Sequence, residues 1–234
     1  MSLYLAHLLE DLRQARLTRR GATHPPDQVP KGVHKMYPRM QQIHLPPAIP
    51  TTQSLGESIR ERKSYFGGSM DTTLTPEELG SLLGSALGKH SESGRRHYPS
   101  GGALYPVETY LLTNTFGNNS VFHYNPTTHT LEKLLDLPAE LDIKKLARSP
   151  EDLFFSSMII FTSVWARSSA KYGDLSFLHA LLEAGHMSQN ILLTATALGL
   201  QSRPYAGFDD EEISKLLDLR TEREQIVHTV LLSR

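Results

Sequence analysis

Apolar residues recur at two different periods along this chain, and the alternation between the two outlines its elements. Leu3, Leu5, Leu8, Leu9, Leu12 and Leu17 stand close to helical spacing, which predicts an amphipathic helix over 3–17, either an arm or part of the core. Leu74–Leu87 is predicted as a helix with both ends marked. Thr75 caps it, Pro76 takes the first position, Glu77 and Glu78 follow, and Gly88 stops it. A shorter helix is predicted over Ser54–Ser64, with Gly67 and Gly68 ending that element. Leu175–Leu198 is the longest, and its nearly apolar second half predicts a place in the centre of the domain. Ala139–Ala147 and Glu211–Leu217 read as short helices. The period shortens over Val107–Thr113, Val121–Tyr124, Thr130–Leu134 and Gln225–Leu232, which predicts strands, and Ser157–Val164 is a continuous apolar run of the kind found in buried strands. The pattern is that of an α+β protein with one mainly antiparallel sheet around long core helices.

Residues 19–54 break both periods. Pro25, Pro26, Pro30, Pro38, Pro46, Pro47 and Pro50 exclude a long helix or a central strand and predict an extended arm over this subunit or a partner. The chain therefore divides into an N-terminal helix and proline-rich arm, 1–53, and a main domain, 54–234. His24, His34 and His44 lie in the arm at no spacing that matches a metal site, and no metal is expected.

Composition narrows the chemistry. The 234 residues suffice for a sizeable core. A net charge of −1 gives no global field for nucleic acid or an anionic membrane. With no cysteine there is no disulfide, no thiolate nucleophile and no Cys-ligated metal. No apolar run approaches a membrane span and no secretory leader is evident, so a cytoplasmic protein is expected. Neither G-x-G-x-x-G nor a P-loop occurs, which argues against a Rossmann dinucleotide site or a Walker-type NTPase.

Four separated segments remain. The first, Arg60–Ser64, carries Arg60, Arg62 and Lys63 at a helix end, which suits either the helix dipole or an anion. The second, Tyr98–Tyr110, is a turn of small residues between Pro99 and Pro106, with Ser100, Gly101, Gly102, Ala103 and Leu104. Glycines there permit a tight turn and a close backbone approach to a flat ligand. The third is Lys171-Tyr172-Gly173 ahead of Glu183–Asn190, which includes His186 and Gln189. The fourth is Gly199–Asp209, with Pro204, Ala206 and Gly207.

In this order and at these separations the segments resemble the nitroreductase-like flavoproteins, and more narrowly the SagB-type (McbC-like) dehydrogenases. Those are FMN-dependent oxidases of thiazole- and oxazole-modified peptide biosynthesis. The resemblance runs from about His34 to the C-terminus. It implies a nitroreductase-like fold completed by dimerisation, bound FMN, a precursor peptide as substrate and a cyclodehydratase complex as partner. It implies that Arg62 and Ser64, with Arg60, hold the flavin phosphate by charge-assisted hydrogen bonds. The family's second arginine falls at Phe66 here, so one phosphate ligand is either missing or supplied elsewhere, with Arg96, Arg203 and Arg234 as the candidates. Pro99–Leu104 would face the isoalloxazine, Gln189 would lie at the cofactor, and the Ala206 and Gly207 amides beyond Pro204 would approach flavin N5. Lys171 and Tyr172 match a pair implicated in catalysis. A lysine ordinarily titrates near 10.4, so a basic role requires desolvation or a neighbouring cation. His186 reads as a packed or capping histidine. Two alternatives stay open: a general NAD(P)H-dependent nitroreductase or quinone reductase, and an inactive scaffold homologue.

Overall fold

A computed structural model describes residues 3–18, 34–65, 73–138, 141, 143–148, 150 and 153–234. Phe66, Gly67, Gly68 and most of the proline arm, His24 included, lie outside the described residues, as do Ala139 and Glu140 of the fourth predicted helix.

Seven strands form one sheet, in the order β1-β4-β3-β2-β5-β7-β6, with every neighbouring pair antiparallel. They are β1 (Gln41–His44), β2 (Val107–Thr113), β3 (Ser120–Asn125), β4 (Thr130–Asp136), β5 (Ser157–Val164), β6 (Gln201–Tyr205) and β7 (Glu224–Ser233). β2 and β5, at the centre, are buried almost throughout. The two edges are the proline-bearing segments. β6 contains Pro204, and β1 lies between Pro38 and Pro46 in the arm. An edge strand tolerates the missing N–H of proline where a central one does not. β1 thus joins the arm to the sheet through β4, with Gln41 opposite Lys133 and His44 opposite Thr130.

The helices are α1 (Leu3–Thr18), α2 (Leu55–Glu61), α3 (Pro76–Leu87), α4 (Ile143–Leu146), α5 (Ala166–Tyr172), α6 (Leu175–Ala197) and α7 (Asp210–Leu216). α3 starts in a reciprocal capping box, Thr75 with Glu78, and stops at Gly88, as its residues predict. α2 starts in the same device, Ser54 with Glu57, but ends at Arg62, so Lys63 and Ser64 follow the helix instead of lying in it.

Alternation along the strands sorts the core into two faces. Leu111, Phe122, Ile159, Phe161 and Val230 meet α3 and α6 on one face. Tyr110, Leu112, Met158, Ile160 and Leu231 meet Leu146, Ile213 and Leu217 on the other. α6 buries Ala180, Ala184, Met187, Ile191 and Ala195 but leaves Phe177, Leu181 and Leu182 exposed. Its apolar girth exceeds what packing within the chain covers, so α6 lies on the sheet without being enclosed. No helix among the described residues is long and apolar enough to cross a membrane.

Candidate active site

The turn after Tyr98 is built from conformations that side chains rarely adopt. Gly101–Ala103 forms one 3₁₀ turn, and Gly102, Ala103 and Tyr105 have φ of 66°, 54° and 48°. Left-handed backbone at Ala103 and Tyr105 persists only where the surroundings over-determine it. Here they do. The Ser100 hydroxyl oxygen accepts the Tyr105 N–H at 2.9 Å, and the Tyr105 hydroxyl oxygen accepts the Arg96 N–H at 3.2 Å. The Arg167 guanidinium donates to the Tyr105 carbonyl at 3.1 Å. Leu104 is buried beneath the turn, whereas Pro99, Gly102 and Ala103 are exposed.

Directly against this turn lies the end of α5. A Cβ added to Gly102 would sit 2.7 Å from the Tyr172 hydroxyl and 2.8 Å from Lys171 Nζ. One added to Gly101 would meet the His179 ring at 3.2 Å. The Tyr172 and His179 rings are edge-to-face at 4.4 Å. Lys171 and Tyr172 therefore occupy the last turn of a helix that Gly173 (φ 52°) terminates, and each is half-buried. The sequence reading has no helix here. Ala166–Tyr172 is mostly polar and has no capping side chain ahead of it, so neither periodicity nor a start signal marks it.

Behind the turn stands Glu183 of α6, buried, with one carboxylate oxygen accepting the Val107 N–H at 3.3 Å. Burial pushes its carboxyl up to about 7, although the Ser100 hydroxyl, the Val107 amide and the charges of Arg96 and Arg167 oppose that rise. Gln189 and His186 are exposed on α6. His186 is thus neither packed nor capping, contrary to expectation, because it falls on the helix face turned from the sheet. Asn190 is the structural member of that motif: its amide donates to the carbonyls of Ala86 and His97, both at 3.1 Å.

The phosphate-type residues form a second cluster. Arg62 caps the C-terminal end of α2, with Arg60 and Ser64 exposed beside it. The Tyr65 N–H then donates to Ser202 of β6 at 3.3 Å, and Arg203 reaches back to the Tyr65 carbonyl at 3.4 Å. Of the three arginines proposed to replace the missing one, Arg203 is beside this segment. Arg96 lies over the Tyr105 ring at 5.4 Å and Arg234 pairs with Glu78 at 3.2 Å. Pro204, the last residue but one of β6, is half-buried, and Ala206 and Gly207 are exposed beyond the strand. Added to Gly207, a Cβ would meet the edge of the Tyr205 ring, its hydroxyl at 2.9 Å and two ring carbons at 3.0 and 3.1 Å. α2, α5, the 3₁₀ turn and β6 all pack against α6, which joins the four motif segments around one helix.

A buried polar network underlies the site on the other sheet face. His123 bridges Glu108 at 2.9 Å and Glu132 at 2.8 Å. Arg167 pairs with Glu108, and Lys35 of the arm pairs with Glu224 and donates its backbone N–H to Glu108 at 2.6 Å. Three carboxylates thus meet three cationic groups. Burial alone would raise Glu108, but the His123 bond, the Arg167 and His123 charges and the Lys35 amide hold it down at about 2. Burial would lower His123, and its two carboxylate partners raise it instead. Arg167, His179 and Glu183 are the residues that reasoning from sequence leaves without a role; only the position of Arg167, one helical turn before Lys171, hints at one.

A seven-stranded antiparallel sheet with α6 against one face and four motif segments around that helix defines the nitroreductase class of fold. The Nitroreductase family model matches residues 59–232, and the chain belongs to that family. MJ1384 of Methanocaldococcus jannaschii, which carries a nitroreductase name, is 31% identical over 150 residues, covering 63% of this chain and 76% of that protein. The microcin B17-processing protein McbC of Escherichia coli is 30% identical over 135 residues, covering 54% of this chain and 50% of McbC. The chain thus spans half the length of McbC. The E. coli microcin synthetase McbBCD complex with truncated pro-MccB17 superposes with a TM-score of 0.69 at 23% identity, over all of this chain and 94% of the matched one. The chain is an oxidoreductase of the nitroreductase family with a McbC-like fold.

Proposed function

We propose that this chain is an FMN-dependent dehydrogenase that oxidises thiazoline or oxazoline rings of a ribosomal peptide to thiazoles or oxazoles. The observation that carries the reading is the contact of Lys171 and Tyr172 with the Gly101–Gly102 turn. The main domain is 54–234, with 1–53 as an arm, in a cytoplasmic enzyme. The residues fit a flavin in two respects. Arg60, Arg62 and Ser64 present cations and a hydroxyl at one solvent-facing helix end, the donor set a phosphate needs. The exposed Gly102–Ala103 backbone leaves room for a flat ring against it. FMN, when bound, supplies a two-electron acceptor that molecular oxygen regenerates.

The chain's residues would then divide the work. Arg60, Arg62 and Ser64 hold the phosphate, with Arg203 near them. Pro99, Ser100, Gly101, Ala103 and Leu104 form one wall, braced by Arg96 and Glu183. Pro204, Ala206 and Gly207 form the opposite margin, and Gln189 lines the exposed face of α6 nearby. Aromatising an azoline removes a proton from one ring carbon and a hydride from its neighbour. Lys171 accepts the proton, and Tyr172 orients the amine or the ring. The partners are the precursor peptide, a cyclodehydratase complex and a second copy of the chain. The similarity to McbC and to its complex supports the first two.

The test is purification, a flavin absorption spectrum, and mass spectrometry of an azoline peptide for loss of two hydrogens per ring. Lys171→Ala is expected to abolish that loss while keeping the flavin. A flavin-loaded protein that leaves such peptides unchanged removes the azoline assignment. The family name and the likeness to MJ1384 favour a second reading, an NAD(P)H-dependent nitroreductase. It predicts NAD(P)H oxidation with nitroaromatics that survives Lys171→Ala.

A further inference from the structure

α5 is a poor helix by its own means. It has seven residues, its first residue follows Trp165, and no side chain caps its N-terminus. Something else must hold its last turn against Gly102. Arg167 is buried to 7% exposure, and its planar fork spans two targets on β2 and the turn before it. One guanidinium nitrogen donates to the carbonyl of left-handed Tyr105 at 3.1 Å, and the other pairs with Glu108. Glu108 is itself fixed by His123 at 2.9 Å and by the Lys35 amide at 2.6 Å. Lys171 lies four residues, one helical turn, beyond Arg167, so the two project along the same side of α5. From the other side, the His179 ring packs edge-to-face on Tyr172.

We propose that Arg167 is a positioning residue that sets Lys171 and Tyr172 against the Gly101–Gly102 turn by tying α5 to Tyr105 and Glu108 at once. The inference rests on the azoline-oxidation reading for what the pair does, but the tie itself is independent of it. A lysine at 167 could keep one partner but not span both, because it lacks the rigid fork.

The experiment compares the flavin-loaded full chain with Arg167→Lys. Trp165, the only tryptophan, adjoins the first residue of α5 and reports its placement by fluorescence. Arg167→Lys is expected to keep the flavin spectrum, shift the Trp165 emission maximum, and lower kcat on an azoline peptide by about 10- to 100-fold with KM within about twofold. Wild-type kcat and emission in a folded Arg167→Lys overturn the proposal. So does a lower melting temperature and flavin content with kcat per bound flavin unchanged, the pattern of a merely structural role. If Arg167→Lys does not fold, Glu108→Gln keeps Arg167 and its bond to Tyr105 but weakens the second anchor. It is expected to lower kcat about tenfold, and wild-type kcat and emission there also overturn the proposal. Should the wild-type protein not oxidise azolines at all, the functional reading fails. Trp165 emission and hydrogen exchange over 98–106 then decide the tie, an unchanged variant refuting it and a shifted one supporting it.

Discussion

Gly102 carries two constraints that the residue type alone does not separate. Its φ of 66° is left-handed, and its missing Cβ leaves the space that Lys171 and Tyr172 occupy. Gly102→Ala therefore costs about 1 kcal/mol in backbone strain and also pushes the Lys171–Tyr172 pair outward. It is expected to lower the melting temperature by a few degrees and turnover by more than about tenfold, since a misplacement near 1 Å can cost about 100-fold. Gly207→Ala makes the contrast. Its φ is not left-handed, and its Cβ would meet the outer edge of the single Tyr205 side chain, the hydroxyl at 2.9 Å and two ring carbons at 3.0 and 3.1 Å, so a shift of that ring by a few tenths of an ångström should keep the loss to about 1 kcal/mol, below that of Gly102→Ala. Thermal melting and peptide turnover of the two variants, side by side, check both. Within the candidate pair, Tyr172→Phe is expected to retain more activity than Lys171→Ala, because orienting a base is worth less than supplying one.

At the scale of elements, long signals are legible and short ones only in part: α2 and α7, seven residues each, follow from the sequence. α3 and α6 follow from periodicity, and the α3 limits from Thr75, Glu78 and Gly88. β2, β5 and β7 follow from their apolar runs. α5 and β6 do not. α5 is mostly polar and has no capping side chain to mark its start, and Pro204 inside β6 argues against a strand unless its edge position is known. The motif residues were legible through resemblance, but their contacts were not. Nothing in the spacing of Gly102 and Lys171 places them against each other, nor Arg167 against Glu108. The buried network adds a pH dependence that only the fold reveals. Glu108 is held at about 2, so it stabilises the fold above its unfolded pKa, and that contribution is lost as pH falls from about 4.5 toward 2. Glu183 works the other way. It rises from 4.5 to about 7, so the folded state holds a proton that the unfolded chain has released, and stability declines as pH rises between those values. His123, raised by its carboxylates, likewise stabilises below the unfolded value and loses that contribution as pH climbs through its folded one. Glu183→Gln keeps an acceptor for the Val107 amide and removes the ionisation. Relative to wild type, it is expected to gain on the order of 3 kcal/mol at pH 8 but little at pH 4.5. Urea unfolding at the two pH values measures the difference, and equal curves would show that Glu183 ionises freely in the folded protein.

For the molecule as a whole, five of the nine large apolar side chains exposed among the described residues stand on two helices that pack together. Leu55 and Ile59 of α2 are 66% and 57% exposed, and Phe177, Leu181 and Leu182 of α6 are 42%, 38% and 51% exposed. Read from sequence, α6 belongs in the centre of the domain because of its apolar second half, and the exposed residues lie in its first half. Their exposure is better explained if a second copy completes the core, as the resemblance to dimeric flavoproteins implies. Both helices also border the candidate site, so one contact would cover the apolar face and complete the pocket. Leu182→Glu separates this from a monomer with scattered surface leucines. In a monomer a charge at a half-exposed position changes stability by less than about 0.5 kcal/mol. In a dimer the same carboxylate is buried without a partner at a cost of several kcal/mol. The expected outcome is a dimer for the wild-type protein by size-exclusion chromatography with light scattering. Leu182→Glu should elute as a folded monomer whose flavin washes out on the column. A variant that stays dimeric and yellow would place the interface elsewhere and leave α6 with a solvated apolar face.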